Sequence, residues 1–476
     1  MVAAVLAGLL TLAAGIVWLR VRRYRGIFRI AARRDDSCVC RGPSRVFAVS
    51  AAPDGIELPN EAFGSGRSAF LAIDVSVTMT GRVFDPYIEV GRHPELYRQY
   101  FEREATGIRY VNLSPAVQAA AGNSGSTRIT LRGGHLRWKP SASVMVFEPP
   151  ALTGGDALVV APHPDDSEIG AFGFYSERPS WILTVSSGEV SPTGLSPVVP
   201  PGPEQTQWRA LLRVHDSLTN PGLGGVDRER CLNLVYPDGR LKQMHDEPTR
   251  TFALACESTL SRRTLRHKNP PGRLRDGSPD CRWSDLVEDL RWTLDRVRPR
   301  TLVCTHPLVD PHPDHVYTSV AVADALRAGA HAPELILLYV IHVNEAPVYP
   351  FGGADSLVSL PPWQHREWIA DSIHSLPLSQ DARIAKYFAV EAAHDLRSYY
   401  SDSRVRTFRQ LVGIARRELG AFVTGMAPRP ADFLRRAPRP NELYYVVSVE
   451  AFLELTRVAV EAHRAPQSSR SVARAG

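Results

Sequence analysis

The sequence predicts an α/β fold: a Rossmann-like, mostly parallel sheet with helices on both faces, preceded by an all-β sandwich-like domain and an N-terminal membrane helix. Three observations support this prediction. From Gly155 onward, apolar runs alternate with helical patterns; from about Ser44 to Pro150, short β-type runs follow one another; and the first nineteen residues carry no charge. Apolar strands that alternate with amphipathic helices are typical of a parallel sheet buried on both faces.

The apolar N-terminal run, MVAAVLAGLLTLAAGIVWL, precedes seven arginines between Arg20 and Arg34. About 18 apolar residues in a helix just reach across the roughly 30 Å hydrocarbon core of a bilayer. We therefore predict a membrane anchor with an arginine-rich flank over 1–34. Because positive flanks stay in the cytoplasm, we expect a single-pass protein of the cytoplasmic membrane with its remaining domains on the cytoplasmic side. A cleavable signal peptide, whose charges would precede the apolar run, and an aberrant start are the alternatives.

A β-sandwich-like accessory domain is predicted over 35–150. In the stretch FLAIDVSVTMT, apolar residues such as Leu71, Ile73 and Val75 alternate with smaller or polar ones, which is the period of a half-buried strand. Similar short runs are separated by clusters of Gly, Pro, Asn and Ser. This domain is expected either to bind glycan or to pack on its neighbour.

The α/β region is predicted over 151–400, followed by a C-terminal helical extension over 401–465 and a disordered tail over 466–476. Buried strands are expected at 157–162, 181–186, 231–236, 301–306 and 334–341, with helices at 206–218, 283–298 and 315–329. No G-x-G-x-x-G turn follows the first of these strands, which argues against a nicotinamide or flavin enzyme.

Composition excludes further classes of protein. The net charge of +6 is modest, and the arginines cluster locally, at 20–34 and 262–282, so no nucleic-acid partner is predicted. The six cysteines show no C-x-x-C spacing, which argues against a zinc ribbon and a disulfide framework.

Two distant segments carry groups that bind metals. His163, Asp165 and Asp166 follow the first strand of the α/β region. The segment THPLVDPHPDH follows the fourth strand and contains His306, Asp310, His312, Asp314 and His315. In α/β sheets ligands lie at the carboxyl ends of the strands, so we expect the two segments to meet at one site.

Zinc in catalytic sites takes three protein ligands and keeps one position for water. His163, Asp166 and His315 are the predicted ligands, and iron or cobalt would tolerate the same set. Asp165 is then placed to accept a proton from the metal-bound water, as general base. His312, as a protonated imidazole, is expected to stabilise the oxyanion and to protonate a leaving amine. The predicted reaction is attack of metal-bound water on an amide.

These residues, in this order, resemble the PIG-L, or LmbE-like, family of zinc-dependent N-deacetylases, over about Gly155 to Ser398. The resemblance implies removal of acetyl from an N-acetylated amino sugar, such as an N-acetylglucosaminyl lipid or conjugate. It implies the same ligands, with Asp165 as base and His312 stabilising the transition state, in a PIG-L-like catalytic domain over 151–400. Arg209 and Asp238 resemble substrate-binding positions of the family.

One position departs from the family pattern. The family commonly has Glu directly after the paired aspartates, whereas Ser167 intervenes here and Glu168 comes one position later. The alternative function is a membrane-tethered glycan-binding protein with a vestigial metal site.

Overall fold

A computed structural model gives the fold and describes residues 2–25, 30–119, 125–152, 154–190, 203–276, 280–343, 346–365, 368–396 and 436–464. Helix α1 spans Val2–Arg25, and the short strand β1 spans Val39–Cys40. Near the end of α1, the buried Tyr24 accepts a hydrogen bond from the backbone N–H of Arg103 at 3.0 Å. Among the residues described, no helix combines the length and the apolar character that crossing a membrane requires. The predicted membrane-spanning helix is therefore not supported, and the location at the cytoplasmic membrane stays a prediction.

The predicted β-sandwich consists of two four-stranded antiparallel sheets, in the orders β2-β9-β4-β7 and β3-β8-β5-β6. The bounds are β2 Arg45–Ser50, β3 Ile56–Pro59, β4 Ser68–Val77, β5 Tyr87–Arg92, β6 Glu95–Tyr100, β7 Thr106–Asn112, α2 Ser114–Gln118, β8 Ser126–Gly134 and β9 Leu136–Phe147. Leu71, Ile73 and Val75 of β4 are buried in the core that the two sheets share, as their alternation predicts.

The α/β region contains a seven-stranded sheet in the order β12-β11-β10-β13-β14-β17-β16. Its strands are β10 Ala157–Ala161, β11 Ser180–Ser186, β12 Cys231–Tyr236, β13 Thr301–Thr305, β14 Leu335–Tyr339, β16 Ser372–Pro377 and β17 Asn441–Val447. The three-residue strand β15, Trp368–Ala370, pairs with β1 instead. Strands β10 to β14 are parallel, as predicted. Strand β17 runs antiparallel to β14 and to β16, so the sheet is mixed rather than parallel throughout.

Helices cover both faces of this sheet. They are α3 Asp166–Gly170, α4 Phe172–Ser176, α5 Pro203–Thr219, α6 Leu241–Asp246, α7 Arg262–Arg266, α8 Trp283–Val297, α9 Pro313–Arg327, α10 Gln380–Ala392 and α11 Val449–Arg464. Along β10, Leu158 and Val160 lie in the core formed with α8, α9 and α11, while Val159 lies in the core formed with α4, α5 and α10. This alternation explains why the strand is apolar throughout.

The predicted C-terminal helical extension needs correction. Its first part, and the predicted disordered tail, lie outside the described residues. The remainder contains α11, as predicted, but Asn441–Val447 forms a strand inside the main sheet. All seven residues of that strand are buried, because β14, β16 and the helices enclose it. Propensity alone does not reveal such a tertiary partner.

The sandwich packs on the β16 edge of the main sheet. The Asn112 side chain donates to Val358 O at 2.8 Å and to Ser375 Oγ at 3.0 Å. The backbone N–H of Ser375 donates to Ser68 Oγ at 2.8 Å. Of the two roles expected for the sandwich, packing on its neighbour is the one observed.

Candidate active site

The strand order places the two predicted motifs side by side. Strands β10 and β13 are neighbours, and the chain order of the sheet reverses between them. In open α/β sheets, ligands bind at this reversal, outside the carboxyl ends of the strands. The loop after β10 carries His163, and the loop between β13 and α9 carries Asp310 and His312. The expectation that the two segments meet is therefore fulfilled.

The three predicted ligands converge. His163 Nδ1 lies 3.0 Å from Asp166 Oδ2, His315 Nε2 lies 3.2 Å from the same oxygen, and the two imidazole nitrogens are 3.2 Å apart. Ligand atoms about 2.1 Å from a tetrahedral zinc ion are roughly 3.4 Å from one another. The triangle is close to the size that a small divalent cation requires, so these side chains fit the predicted metal.

A buried carboxylate fixes the orientation of His315. Its Nδ1 lies 2.9 Å from Asp310 Oδ2, which also accepts the backbone N–H groups of Ile341 at 2.9 Å and His342 at 3.1 Å. A carboxylate at one ring nitrogen holds the proton there and leaves the other nitrogen as a metal ligand. Asp310 therefore presents Nε2 of His315 to the site. Burial alone would raise the pKa of Asp310, but His315, His342 and the hydrogen bonds to this carboxylate together lower that pKa.

Carboxylates also face the second nitrogen of His163. Its Nε2 lies 3.3 Å from Asp238 Oδ1 and 3.4 Å from Asp314 Oδ2. Asp314 Oδ2 accepts the backbone N–H of Gly239 at 2.6 Å, and its Oδ1 accepts that of Leu241 at 3.2 Å. Asp314 thus joins the loop after β12 to His163.

The site is buried, and its charges are strongly coupled. Burial alone would lower the pKa of His163 and His315, but the neighbouring carboxylates, first of all Asp166, outweigh it. The pKa of His163 rises well above its usual value, and that of His315 rises to about 10. Burial would raise the pKa of Asp166, but His315 and His163 hold it well below its ordinary value. Asp166 therefore stabilises positive charge at this position, as it would stabilise a bound cation.

The predicted base, Asp165, makes an ion pair instead of a helix cap. It occupies the N-cap position of α3, yet its side chain makes no capping hydrogen bond there. Its Oδ1 accepts Nη2 of Arg213 at 2.8 Å. Burial raises the pKa of Asp165 to about 6, with Arg213 opposing the rise and Asp166 adding to it.

His312 lies between the two histidine ligands. Its ring centroid is 5.0 Å from that of His163 and 4.7 Å from that of His315. Within the described chain its buried Nδ1 has no hydrogen-bond partner, so this nitrogen is available to a bound group. Burial, followed by the charges of His315 and His163, lowers the pKa of His312 to about 4. Burial thus opposes the protonated imidazole expected at His312, and the role of this residue stays a prediction.

His312 also gives the site an alternative set of ligands. His163, His312 and His315 each offer one ring nitrogen, and these atoms lie within 4.8 Å of one another. The set with Asp166 is tighter, with all three separations at 3.0 to 3.2 Å. We therefore assign Asp166, rather than His312, as the third proposed ligand.

The two predicted substrate-binding residues occupy different places. Asp238 lies beside His163, in the loop after β12, and Val235 near the end of β12 has a positive φ of 57°. Positive φ is strained for a β-branched residue, and such strain is concentrated at functional sites. Arg209 lies on α5, and its Nη1 donates to Glu189 O at 3.3 Å.

The late glutamate, Glu168, is outside the ligand group. It is fully buried, and its carboxylate accepts hydrogen bonds from Ser167 Oγ at 2.9 Å and Tyr175 Oη at 3.2 Å. Burial raises the pKa of Glu168 to about 8. Its contacts hold α3 against α4.

The sequence analysis missed several contributors to the site. Asp310 and Asp314 belong to the second motif but received no role. His342 lies three residues after the end of β14, and its ring centroid is 5.0 Å from that of His315. The rule that ligands lie at the carboxyl ends of strands would have found it. Arg213 lies one helical turn after Arg209, and this spacing places the two on one face of α5.

Comparison with known proteins gives one family match. Residues 158–326 match the profile of PIG-L, described as GlcNAc-PI de-N-acetylase, which supports the predicted family and a deacetylase. No curated protein matches the chain.

Solved structures overlap it at low similarity. The A40926 pseudoaglycone deacetylase Dbv21 is 15% identical, covering 62% of this chain and 97% of its own, with a TM-score of 0.33. The teicoplanin deacetylase Orf2, in a zinc-inhibited form, is 18% identical (61% and 98%; TM-score 0.30). GalB, the 4-carboxy-2-hydroxymuconate hydratase of Pseudomonas putida KT2440, is 14% identical (62% and 95%; TM-score 0.32).

Proposed function

We propose that this chain, which belongs to the PIG-L family through residues 158–326, is a metal-dependent deacetylase that removes acetyl from an N-acetylated amino sugar. The observation that carries the proposal is the triangle of His163, Asp166 and His315, with sides of 3.0 to 3.2 Å. A buried carboxylate outside the ligand set, Asp165, directly precedes Asp166 and interacts electrostatically with Asp166 and His163. A metal site with an adjacent base is the arrangement that amide hydrolysis by water needs.

His163, Asp166 and His315 would hold the cation, which we propose is zinc or another divalent metal such as Fe²⁺. When bound, such an ion supplies Lewis acidity that makes water a better nucleophile and polarises the amide carbonyl. Asp165 accepts the proton that the attacking water loses, because its Oδ2 has no hydrogen-bond partner within the described residues.

The proposed role of His312 is at the carbonyl oxygen of the substrate amide. Burial lowers the pKa of His312, so its proposed contribution is a hydrogen bond donated to the developing oxyanion. The proton that Asp165 has accepted then passes to the leaving amine, which makes acetate and a free amino sugar the two products.

The substrate proposal combines the family match with the loop after β12. The family name refers to an N-acetylglucosaminyl lipid, and we propose an N-acetylglucosaminyl lipid or conjugate as the substrate class here. Asp238 and Arg209 are the proposed contacts to it. Sugar hydroxyl groups are well suited to a carboxylate such as Asp238, because hydrogen bonds to charged acceptors are the strong ones.

The test is release of free amine and acetate when the purified full-length protein is incubated with N-acetylated sugars and sugar lipids. Turnover should stop with a chelator and return with Zn²⁺ or Fe²⁺. Asp165→Asn should lower kcat by about 100- to 10,000-fold while bound metal per chain is unchanged. Tight sugar binding without turnover on any substrate would instead identify the glycan-binding alternative.

A further inference from the structure

Arg213 links Asp165 to a second carboxylate. From α5, its Nη2 donates to Asp165 Oδ1 at 2.8 Å, and its Nη1 donates to Asp395 Oδ2. The side chains of Arg213, Asp165 and Asp395 are 9%, 12% and 6% exposed, so solvent and salt screen these pairs little. Charge-assisted hydrogen bonds from a planar guanidinium fix both distance and direction.

Gly188 makes room for this arginine. A Cβ atom at position 188 would lie 2.4 Å from Arg213 Nε and 2.9 Å from Pro164 Cδ. Gly188 also has a φ of +66°, a conformation that residues with side chains rarely adopt. The loop after β11 is therefore shaped to let the guanidinium reach the loop after β10.

A neighbouring contact holds the residue next to Asp395, just after α10, but does not reach the site. His394 donates its backbone N–H to Asp216 Oδ2 at 2.9 Å, and its Nδ1 lies 2.7 Å from Asp216 Oδ1. Asp216 follows Arg213 by three positions on α5, and His394 directly precedes Asp395. Two contacts thus join residues 394 and 395 to α5. Of these two, the contact with Arg213 is the one that also involves Asp165.

We infer that Arg213 is a positioning residue for the proposed deacetylation: it fixes Asp165 Oδ1 so that Oδ2 stays directed to the reacting water, and Asp395 holds Arg213 in place. This inference rests on the proposed function, in which Asp165 accepts the proton. Both Nη groups already donate to carboxylates, which favours positioning over substrate binding. Misplacing a reacting group by about 1 Å costs on the order of 100-fold in rate.

Steady-state kinetics and metal analysis of full-length variants test the inference, on any N-acetyl amino sugar that the wild-type protein turns over. Arg213→Ala should lower kcat about 100-fold, with KM within about threefold and bound metal unchanged. Millimolar guanidinium should restore part of that kcat, and sodium chloride at equal ionic strength should not. Arg213→Lys, which keeps the charge, should lose about tenfold because an ammonium group cannot reproduce the two-pronged contact. If Arg213→Ala fails to fold, the Arg213→Lys variant provides the test instead.

The matched control separates positioning of Asp165 from mere attachment of residues 394 and 395 to α5. Asp395→Asn should lower kcat about tenfold, whereas Asp216→Asn breaks the neighbouring contact and should stay within about twofold of wild type. Equal losses in these two variants would overturn the inference. So would a raised KM with unchanged kcat in Arg213→Lys. Absence of turnover by the wild-type protein would overturn the proposed function and this inference together, while full kcat in the Arg213 variants of an active enzyme would overturn the inference alone.

Discussion

The two ring nitrogens of His163 face two different groups of carboxylates. Nδ1 faces Asp166, whose Oδ2 lies 3.0 Å from it and 3.2 Å from His315 Nε2. Nε2 faces Asp238 and Asp314, at 3.3 and 3.4 Å. Clusters on both sides of the ring could hold a cation: His163 with His312 and His315, and His163 with Asp238 and Asp314. What distinguishes the two sides is the number of imidazole nitrogens that meet at one carboxylate oxygen.

On the Nε2 side, backbone amides already occupy the carboxylates. Asp314 accepts the N–H groups of Gly239 and Leu241, and Asp238 Oδ2 accepts that of Val190 at 3.1 Å. On the Nδ1 side, Asp166 Oδ2 also accepts a backbone N–H, that of His163 at 2.8 Å, but this oxygen lies against two imidazoles rather than one. Two imidazole nitrogens and one carboxylate oxygen are a ligand set that catalytic zinc sites use, whereas the Nε2 side offers a single imidazole. We therefore assign the cation to the Nδ1 side.

Removing a proposed ligand from the Nδ1 side should have the largest effect. His315→Ala takes away one of three protein ligands and should lower kcat/KM more than about 1,000-fold, with bound metal falling below the detection limit of elemental analysis. His267→Ala, an exposed histidine after α7, is the control and should match wild type. Retention of metal by His315→Ala would show that the cation lies elsewhere.

His312 tests whether the alternative three-histidine set binds the metal. As a hydrogen-bond donor outside the ligand set, His312→Ala should lower kcat by about 100-fold and leave bound metal unchanged. A ligand would instead lose metal and activity together. Measuring both quantities on one preparation separates the two outcomes.

The bracing carboxylates should have smaller effects than the ligands. Asp310→Asn replaces the acceptor at His315 Nδ1 with an amide and should weaken metal affinity by about 10- to 100-fold. Asp314 lies farther from His163 than Asp310 does from His315, so the loss of metal affinity in Asp314→Asn should be at the lower end of that range. Competition with a chromophoric chelator measures both, and losses as large as that of His315→Ala would contradict a bracing role.

Metal binding should strengthen as pH rises. Burial would lower the pKa of His315, but Asp166 and Asp310 outweigh it and raise that pKa to about 10, so the metal-free site holds a proton that the cation must displace. Each proton released makes affinity rise about tenfold per pH unit, here between about pH 6 and 9. Titrations at pH 6, 7 and 8 check this, and a constant affinity would contradict it.

Much of this site was predictable from sequence because its residues follow strands. The run ALVV is apolar throughout, and TLVCT is apolar between its two terminal threonines, which placed β10 and β13 inside a sheet and hence His163 and His315 at one edge. The pair Arg213 and Asp395 was not predictable, since 182 positions separate the two residues and no local pattern connects them. The strand Asn441–Val447 was not predicted for the same reason, because the strands with which it pairs are distant in sequence.

Crystallographic anomalous scattering from the zinc-loaded, full-length protein tests the central claim most directly. We predict one peak within about 2.0 to 2.2 Å of His163 Nδ1, Asp166 Oδ2 and His315 Nε2. A peak between His163 Nε2, Asp238 and Asp314, or no peak near His163, would contradict it.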